Sequence, residues 1–281
     1  MPLDFTAEDL IPEEINFPVE FEPTKFAKSK YVVNGNTGEY LGIVGNGFPK
    51  NPHGAYFTDV HNGISEHFGM EFCDSMNIKF KTARNNAWVM MDMVMPNVLR
   101  KIESDKHTTT IAPRLIALHG IDGSCSNQVY FGSIDFFCTN GMITGDFDQI
   151  KRKNSSNFVL ERFIRELKDT VSDFNESATK YQKWAEQRLM ASTVKDMLES
   201  IMPERKSEKM FSLYNQEAAT RGQNVWALYS AFTNFSSHQS ERNGFTLRNT
   251  GNDTQAESMW KREQEVAKWT SSPQFRQLVA A

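Results

Sequence analysis

The chain has 281 residues, 39% of them hydrophobic and 23% charged, which suits one large folded domain or two modest ones. A net charge of −4 does not mark a nucleic-acid binder, and no run approaches the roughly 18 apolar residues of a membrane span. No basic and apolar leader opens the chain, and Cys73, Cys125 and Cys138 form no C-x-x-C pair, which points to reduced thiols in the cytoplasm.

The charge is unevenly spread. Seven of the 35 acidic residues lie within residues 1–23, which hold no Lys or Arg, so the remaining 31 basic and 28 acidic residues leave the rest of the chain at +3. Pro2, Pro12, Pro18 and Pro23 disfavour helix, so residues 1–30 read as an acidic extended arm. Its Ile11, Ile15, Phe17 and Phe21 can pin it to the body or to a neighbouring subunit. Such an arm either solubilises the chain or screens a basic groove from wrong partners.

Residues 31–190 are expected to form an α+β core. Tyr31–Val33 and Tyr40–Val44 flank Asn34-Gly35-Asn36-Thr37-Gly38, the signal of an antiparallel β-hairpin. Phe57, Val60, Ile64 and Phe68 then recur at helical spacing, with Gly69 as a stop. From Met76 the pattern alternates, with Met76, Ile78 and Phe80 on one face and Asn77, Lys79 and Lys81 on the other. Arg84-Asn85-Asn86 makes a turn into an almost continuously apolar strand, Trp88–Met95. A third strand spans about Thr109–His119, where Pro113 suggests an edge or a bulge. A fourth runs from Gln128 to Thr139.

The β signal then ends. Ser155 or Ser156 can cap a long helix whose stripe (Leu160, Phe163, Leu167, Val171, Phe174, Ala178, Tyr181, Ala185) continues to about Leu189, as a spine across the sheet or as part of a subunit interface. Residues 191–281 are expected to be helical, with helices near Thr193–Ile201, Ser207–Arg221, Asn224–His238 and Ala256–Trp269, and a linker over Ser236–Asp253. Strands first and helices after indicate α+β, an N-terminal antiparallel hairpin sheet followed by a long helix and a helical C-terminal half.

Leu41-Gly42-Ile43-Val44-Gly45-Asn46, the Trp88–Pro96 strand, His119-Gly120-Ile121-Asp122-Gly123-Ser124, Phe137-Cys138-Thr139-Asn140-Gly141, and Asn224 through Thr233 with His238 occur in an order that resembles a phage/plasmid-like family catalogued as a domain of unknown function. The likeness spans about Tyr31 to Trp269. It implies a mobile-element protein, often encoded among replication and recombination genes, and carries over no catalytic residues. A topological likeness, strands of a hairpin sheet followed by a long helix, extends to single-strand annealing proteins of the Rad and RecT/Red-beta type.

Single-strand binding needs a cationic track for phosphates and aromatic faces for bases. The candidates are Lys79, Lys81, Arg84 and Arg114 with Trp88 on the sheet, Lys151-Arg152-Lys153 after it, and Arg162 and Arg165 on the long helix. Against this, Lys79 and Lys81 can be the wet face of an ordinary strand, with Trp88 in the core. His119 with Asp122, between Gly120 and Gly123, offers an enzyme-like alternative, a site for a metal or a proton shuttle acting on nucleic acid or nucleotide. Ser124 lacks the nucleophile elbow, and Gly42–Gly47 matches no phosphate-binding fingerprint. A third alternative is a structural or host-interaction protein without a ligand. The first expectation is a homo-oligomeric single-stranded-DNA-binding or annealing protein that needs no cofactor.

Overall fold

A computed structural model of the protein describes residues 11–68, 76–136, 140–143, 150–152, 174–238, 241–242, 245–246 and 255–280. The fold is α+β, with two principal antiparallel sheets and seven helices among the described residues. Strands β1 (Val19–Pro23), β2 (Ser29–Asn34) and β3 (Tyr40–Gly45) form a three-stranded sheet in the order β1-β2-β3. The Asn34 carboxamide oxygen accepts the N–H groups of Asn36 (2.9 Å) and Thr37 (3.3 Å), and Gly38 takes φ 74°, so the sequence-predicted hairpin turn is built from the residues that signalled it.

Helix α1 (His53–Phe68) leads to a seven-stranded sheet of β4 (Asn77–Ala83), β5 (Trp88–Val94), β6 (Arg100–Glu103), β7 (Thr108–Gly120), β8 (Asn127–Asp135), β9 (Asn140–Ile143) and β10 (Ile150–Arg152). Its spine runs β10-β8-β7-β5-β4, with β6 also paired to β7 and β9 to β8. Pro113 corrects an expectation, because β7 is central. β5 pairs with Arg114–Gly120 and β6 with Thr108–Ile111, so Pro113 faces the gap between them. Its carbonyl accepts Met95 N–H at 3.0 Å on that side, and the missing N–H of proline falls where no ladder partner is needed.

The sheet is the middle layer, with a core on each side. On one face Val89, Met91, Met93, Leu115, Ala117 and Val129 join Tyr56, Phe57, Val60 and Ile64 of α1. On the other, Met90, Ile116 and Leu118 join Phe17, Val19, Val32 and Val44 of the three-stranded sheet, together with Met259 and Trp260. Burial on both faces explains the continuous apolar run of β5, since a strand with one wet face would alternate.

Helical residues 174–186 (α2) turn Phe174, Ala178, Tyr181 and Ala185 into the first core, so this half of the stripe is a spine. The remainder of the expected long helix, from its cap at Ser155 or Ser156 to residue 173, lies outside the described residues. The helix ends before Leu189, because Leu189 N–H bonds Gln223 O (2.9 Å) and Val225 N–H bonds Gln187 O (3.1 Å), tying the strand-like exit to the start of a later helix. Helices α3 (Ala191–Ile201), α4 (Glu204–Arg221), α5 (Val225–His238), α6 (Gln255–Thr270) and α7 (Pro273–Ala280) complete the chain, with a short hairpin, β11 (Glu241–Arg242) and β12 (Phe245–Thr246), inside the expected linker. Asn224 caps α5 by accepting Ala227 N–H at 2.8 Å. Tyr214, Trp226, Tyr229, Phe232 and Phe235, which recur at helical spacing on α4 and α5, are all buried in the core.

Within the described residues, the acidic arm is part of the fold. Ile15 is 1% exposed, Phe17 is 3% exposed, and residues Val19–Pro23 form an edge strand. Ile15→Ala is expected to cost about 2–5 kcal/mol of unfolding free energy in a denaturant titration. Deleting residues 1–23 would remove β1 and both core anchors, so it is a lesion of the core as well as of the charge.

Candidate functional site

The β4–β5 turn is the most unusual backbone in the described residues. Arg84, Asn85 and Asn86 adopt φ of 56°, 53° and 63° in succession, closed by Ala87 N–H to Arg84 O at 2.9 Å. Asparagine tolerates the left-handed region, whereas arginine there is uncommon and must be held by its surroundings. Asn85 Nδ2 donates to Glu39 Oε1 (2.7 Å) and Asn86 Nδ2 to Glu14 O (3.1 Å), fastening the turn to the β2–β3 hairpin and to the arm.

From this turn the Arg84 guanidinium lies 4.8 Å from the centre of the Trp88 ring, an arrangement that gains cation–π attraction while the side chain stays 44% exposed. Its Nη1 reaches Ser124 Oγ (3.2 Å) and Asp122 Oδ2 (3.5 Å), and its Nε reaches Glu257 Oε2 (3.3 Å). Trp88 is 8% exposed and donates its indole N–H to Ser124 Oγ (2.7 Å), so its ring belongs to the core and supports Arg84. Ser124 Oγ in turn donates to the Asp122 carboxylate at 2.6 Å. The hydroxyl is therefore engaged by a carboxylate that has no imidazole relay beside it in this set of bonds. Gly42 lets the 121–125 turn approach, since a Cβ there would lie 2.8 Å from Asp122 Cβ.

His119 and Asp122 diverge. His119 points into the face covered by α1, where its ring stacks on Tyr56 at 4.4 Å and meets His53, Nδ1 to Nδ1, at 2.8 Å. His53 Nε2 lies 2.8 Å from the Asn86 carbonyl and must donate to it, so its Nδ1 accepts and His119 Nδ1 donates. Burial pushes His53 down to about 4 and His119 well below the usual histidine range, leaving both neutral at pH 7. Burial likewise pushes the Cys125 thiol up to about 12, which keeps it protonated and unreactive. Among the described residues no group of three or more His, Cys, Asp or Glu side chains is placed to hold a metal ion.

The ten sequence-predicted binding residues are dispersed. Lys79 is exposed on the edge strand β4, and Arg84 is half exposed beyond it. Lys81 is partly buried, its Nζ 2.9 Å from Met259 Sδ, with its pKa lowered by burial. Arg114 is 3% exposed and forms a bidentate pair with Asp92 (2.7 and 2.8 Å), with Glu263 at 3.5 Å. Lys151 and Arg152 lie on β10, and Lys153, Arg162 and Arg165 are outside the described residues.

The face of β4 that carries Lys79 and Lys81, expected to be wet, is thus in large part covered, as are the same faces of β5 and β7. Helix α6 crosses it, placing Met259, Trp260 and Glu263 over Lys81, Met90 and Arg114. The acidic partners Glu257 and Glu263 stand 173 and 149 residues from Arg84 and Arg114, so no local spacing in the sequence announces them. A second buried ion cluster, Arg221 with Asp135 (2.7 Å) and Glu217 (2.9 Å), joins α4 to the end of β8 in the same way.

Among the described residues no helix is long and apolar enough to cross a membrane. No curated protein and no solved structure matches the chain. A family model does match, over residues 59–267, most of the chain and nearly all of the seven-stranded sheet and its covering helices, and the protein belongs to that family, described as Domain of unknown function (DUF932).

Proposed function

We propose that the protein is a single-stranded-DNA-binding or annealing protein of a phage or plasmid, acting in replication or recombination as a homo-oligomer. The observation that supports this best is the display of Arg84. Three successive left-handed residues cost conformational energy, and strain of this kind concentrates where a side chain is held for a ligand. The guanidinium is planar, stacked on an indole and half exposed, so it offers N–H donors to a phosphate and a flat cationic surface to a base. A phosphate would exchange with Glu257, which is partly exposed and already shared with Lys261 at 2.6 Å. Lys79 extends the cationic edge along β4.

A Lys79→Ala, Arg84→Asn double variant tests this reading, since asparagine accepts the left-handed backbone. Fluorescence titration of a single-stranded oligonucleotide across a salt series is expected to show weaker binding. The slope of log affinity against log salt should be smaller by about 1.4, or about 0.7 for each phosphate that is no longer neutralised. An unchanged slope would remove the site, and an unmutated protein that does not bind at low salt would remove the function.

A further inference from the structure

The β1–β2 connection and the loop after β3 build a second cationic surface. The segment Thr24-Lys25-Phe26-Ala27-Lys28-Ser29-Lys30 holds three lysines and no acid, and residues 45–52 add Lys50, also with no acid. Its signal in the sequence is plain, yet it sits at the end of an acidic arm whose overall charge hides it. In the structure Lys25, Lys28 and Lys50 are exposed, and Phe26 is 67% exposed, the most open large aromatic side chain among the described residues.

The tip is held rigidly. Thr24 Oγ1 accepts Phe26 N–H at 3.0 Å and lies 2.9 Å from Ser29 Oγ, and Ser29 N–H closes the turn on Phe26 O at 3.1 Å. Asn46 reaches over from the loop after β3, donating its side-chain amide to Ala27 O (3.1 Å) and its N–H to Lys28 O (3.2 Å). Lys30 locks the two loops together by lying over the Phe21 ring at 3.5 Å and donating to Asn46 O (3.1 Å) and Phe48 O (2.8 Å). Lys30 is therefore consumed in holding the loop, while Lys25, Lys28 and Lys50 stay at the surface.

We infer that this tip is a binding site for the phosphates and one base of a single-stranded nucleic acid, with Phe26 as the stacking platform and Lys25, Lys28 and Lys50 as the phosphate contacts. The inference rests on the single-strand reading above and adds a second contact on a different sheet. An exposed phenylalanine between lysines, on a backbone already ordered, supplies the two elements that sequence-tolerant strand binding uses, at small ordering cost. A bilayer would require a broader apolar face than a single phenylalanine beside an alanine.

The test compares three full-length proteins in salt-dependent titrations of a single-stranded oligonucleotide, with anionic phospholipid vesicles as a parallel probe. Lys25→Ala, Lys28→Ala is expected to lower the salt slope by about 1.4. Phe26→Ala is expected to weaken binding about 5- to 150-fold with the slope kept. All three should melt at the same temperature, because the altered side chains are exposed and the pinning bonds are made by other residues. If the unmutated protein binds and both variants bind like it, the tip is overturned while the single-strand reading stands. If the unmutated protein binds no oligonucleotide, both are overturned. Binding to vesicles and not to oligonucleotide, abolished by Phe26→Ala, would overturn the tip as a nucleic-acid site and assign it to a lipid surface.

Discussion

Replacing Arg114 with methionine is expected to cost about 3–5 kcal/mol of stability and to leave unchanged the salt dependence of the proposed single-strand binding. The guanidinium is almost wholly buried, pairs with Asp92 from β5 in bidentate fashion and reaches one oxygen of Glu263 from α6 at 3.5 Å. Without it, two carboxylates remain buried next to each other, with Lys79 and Lys81 in range of Asp92 and Arg262 in range of Glu263, and the penalty is the desolvation of incompletely paired charge. Thermal unfolding should shift down by on the order of 10 °C. A binding titration of the variant at a temperature where it is folded separates this outcome from a phosphate-binding role, whose removal would instead lower the slope by about 0.7 and leave melting almost unchanged.

Acidification should begin to destabilise the protein as pH falls through the ordinary histidine range. The folded-state pKa of His53 is about 4 and that of His119 is also depressed, both below the usual value near 6.5 of an unfolded chain. The unfolded state therefore takes up protons first as pH falls, and for His53 stability drops between about pH 6.5 and 4 by about 1.4 kcal/mol per unit, with His119 acting in the same direction. His53 alone accounts for about 3 kcal/mol across that window. Glu263, whose carboxyl is raised by burial, works in the opposite sense at the acid end, so the informative measurement is a comparison with a variant. His53→Gln keeps a donor for the Asn86 carbonyl and should show a flatter dependence in denaturant titrations at pH 7, 5.5 and 4.5. Equal pH slopes for the two proteins would show that the histidine pair does not control acid stability.

These two expectations involve residues whose sequence context suggested different roles. His119 beside Asp122 between glycines looks like a site for chemistry. In the structure the two side chains part, the imidazole entering the core against Tyr56 while the carboxylate joins Arg84 and Ser124. Arg114 looks like one of a row of cations on a strand. An alternating strand carries the same pattern whether its polar face meets water or a helix bearing complementary acids.

Local physical chemistry was enough for much of this protein. Asn34–Gly38 can only turn tightly, Phe57, Val60 and Ile64 can share one face only on a helix, and Arg84-Asn85-Asn86 marks a turn between two strands. The spacing of Trp226, Tyr229, Phe232 and Phe235 likewise fits a helix with one apolar face. In each case the determining interactions lie within a few residues of one another. Tertiary structure alone decided which sheet face was wet, because α6 returns from far along the chain to set Glu257 and Glu263 against Arg84 and Arg114. It also turned residues 11–23 from an acidic arm into a core anchor and an edge strand, and it left the Lys25–Lys28 tip exposed beside them. Burial depends on what packs from elsewhere, so a cation's availability to a ligand is a property of the assembled fold.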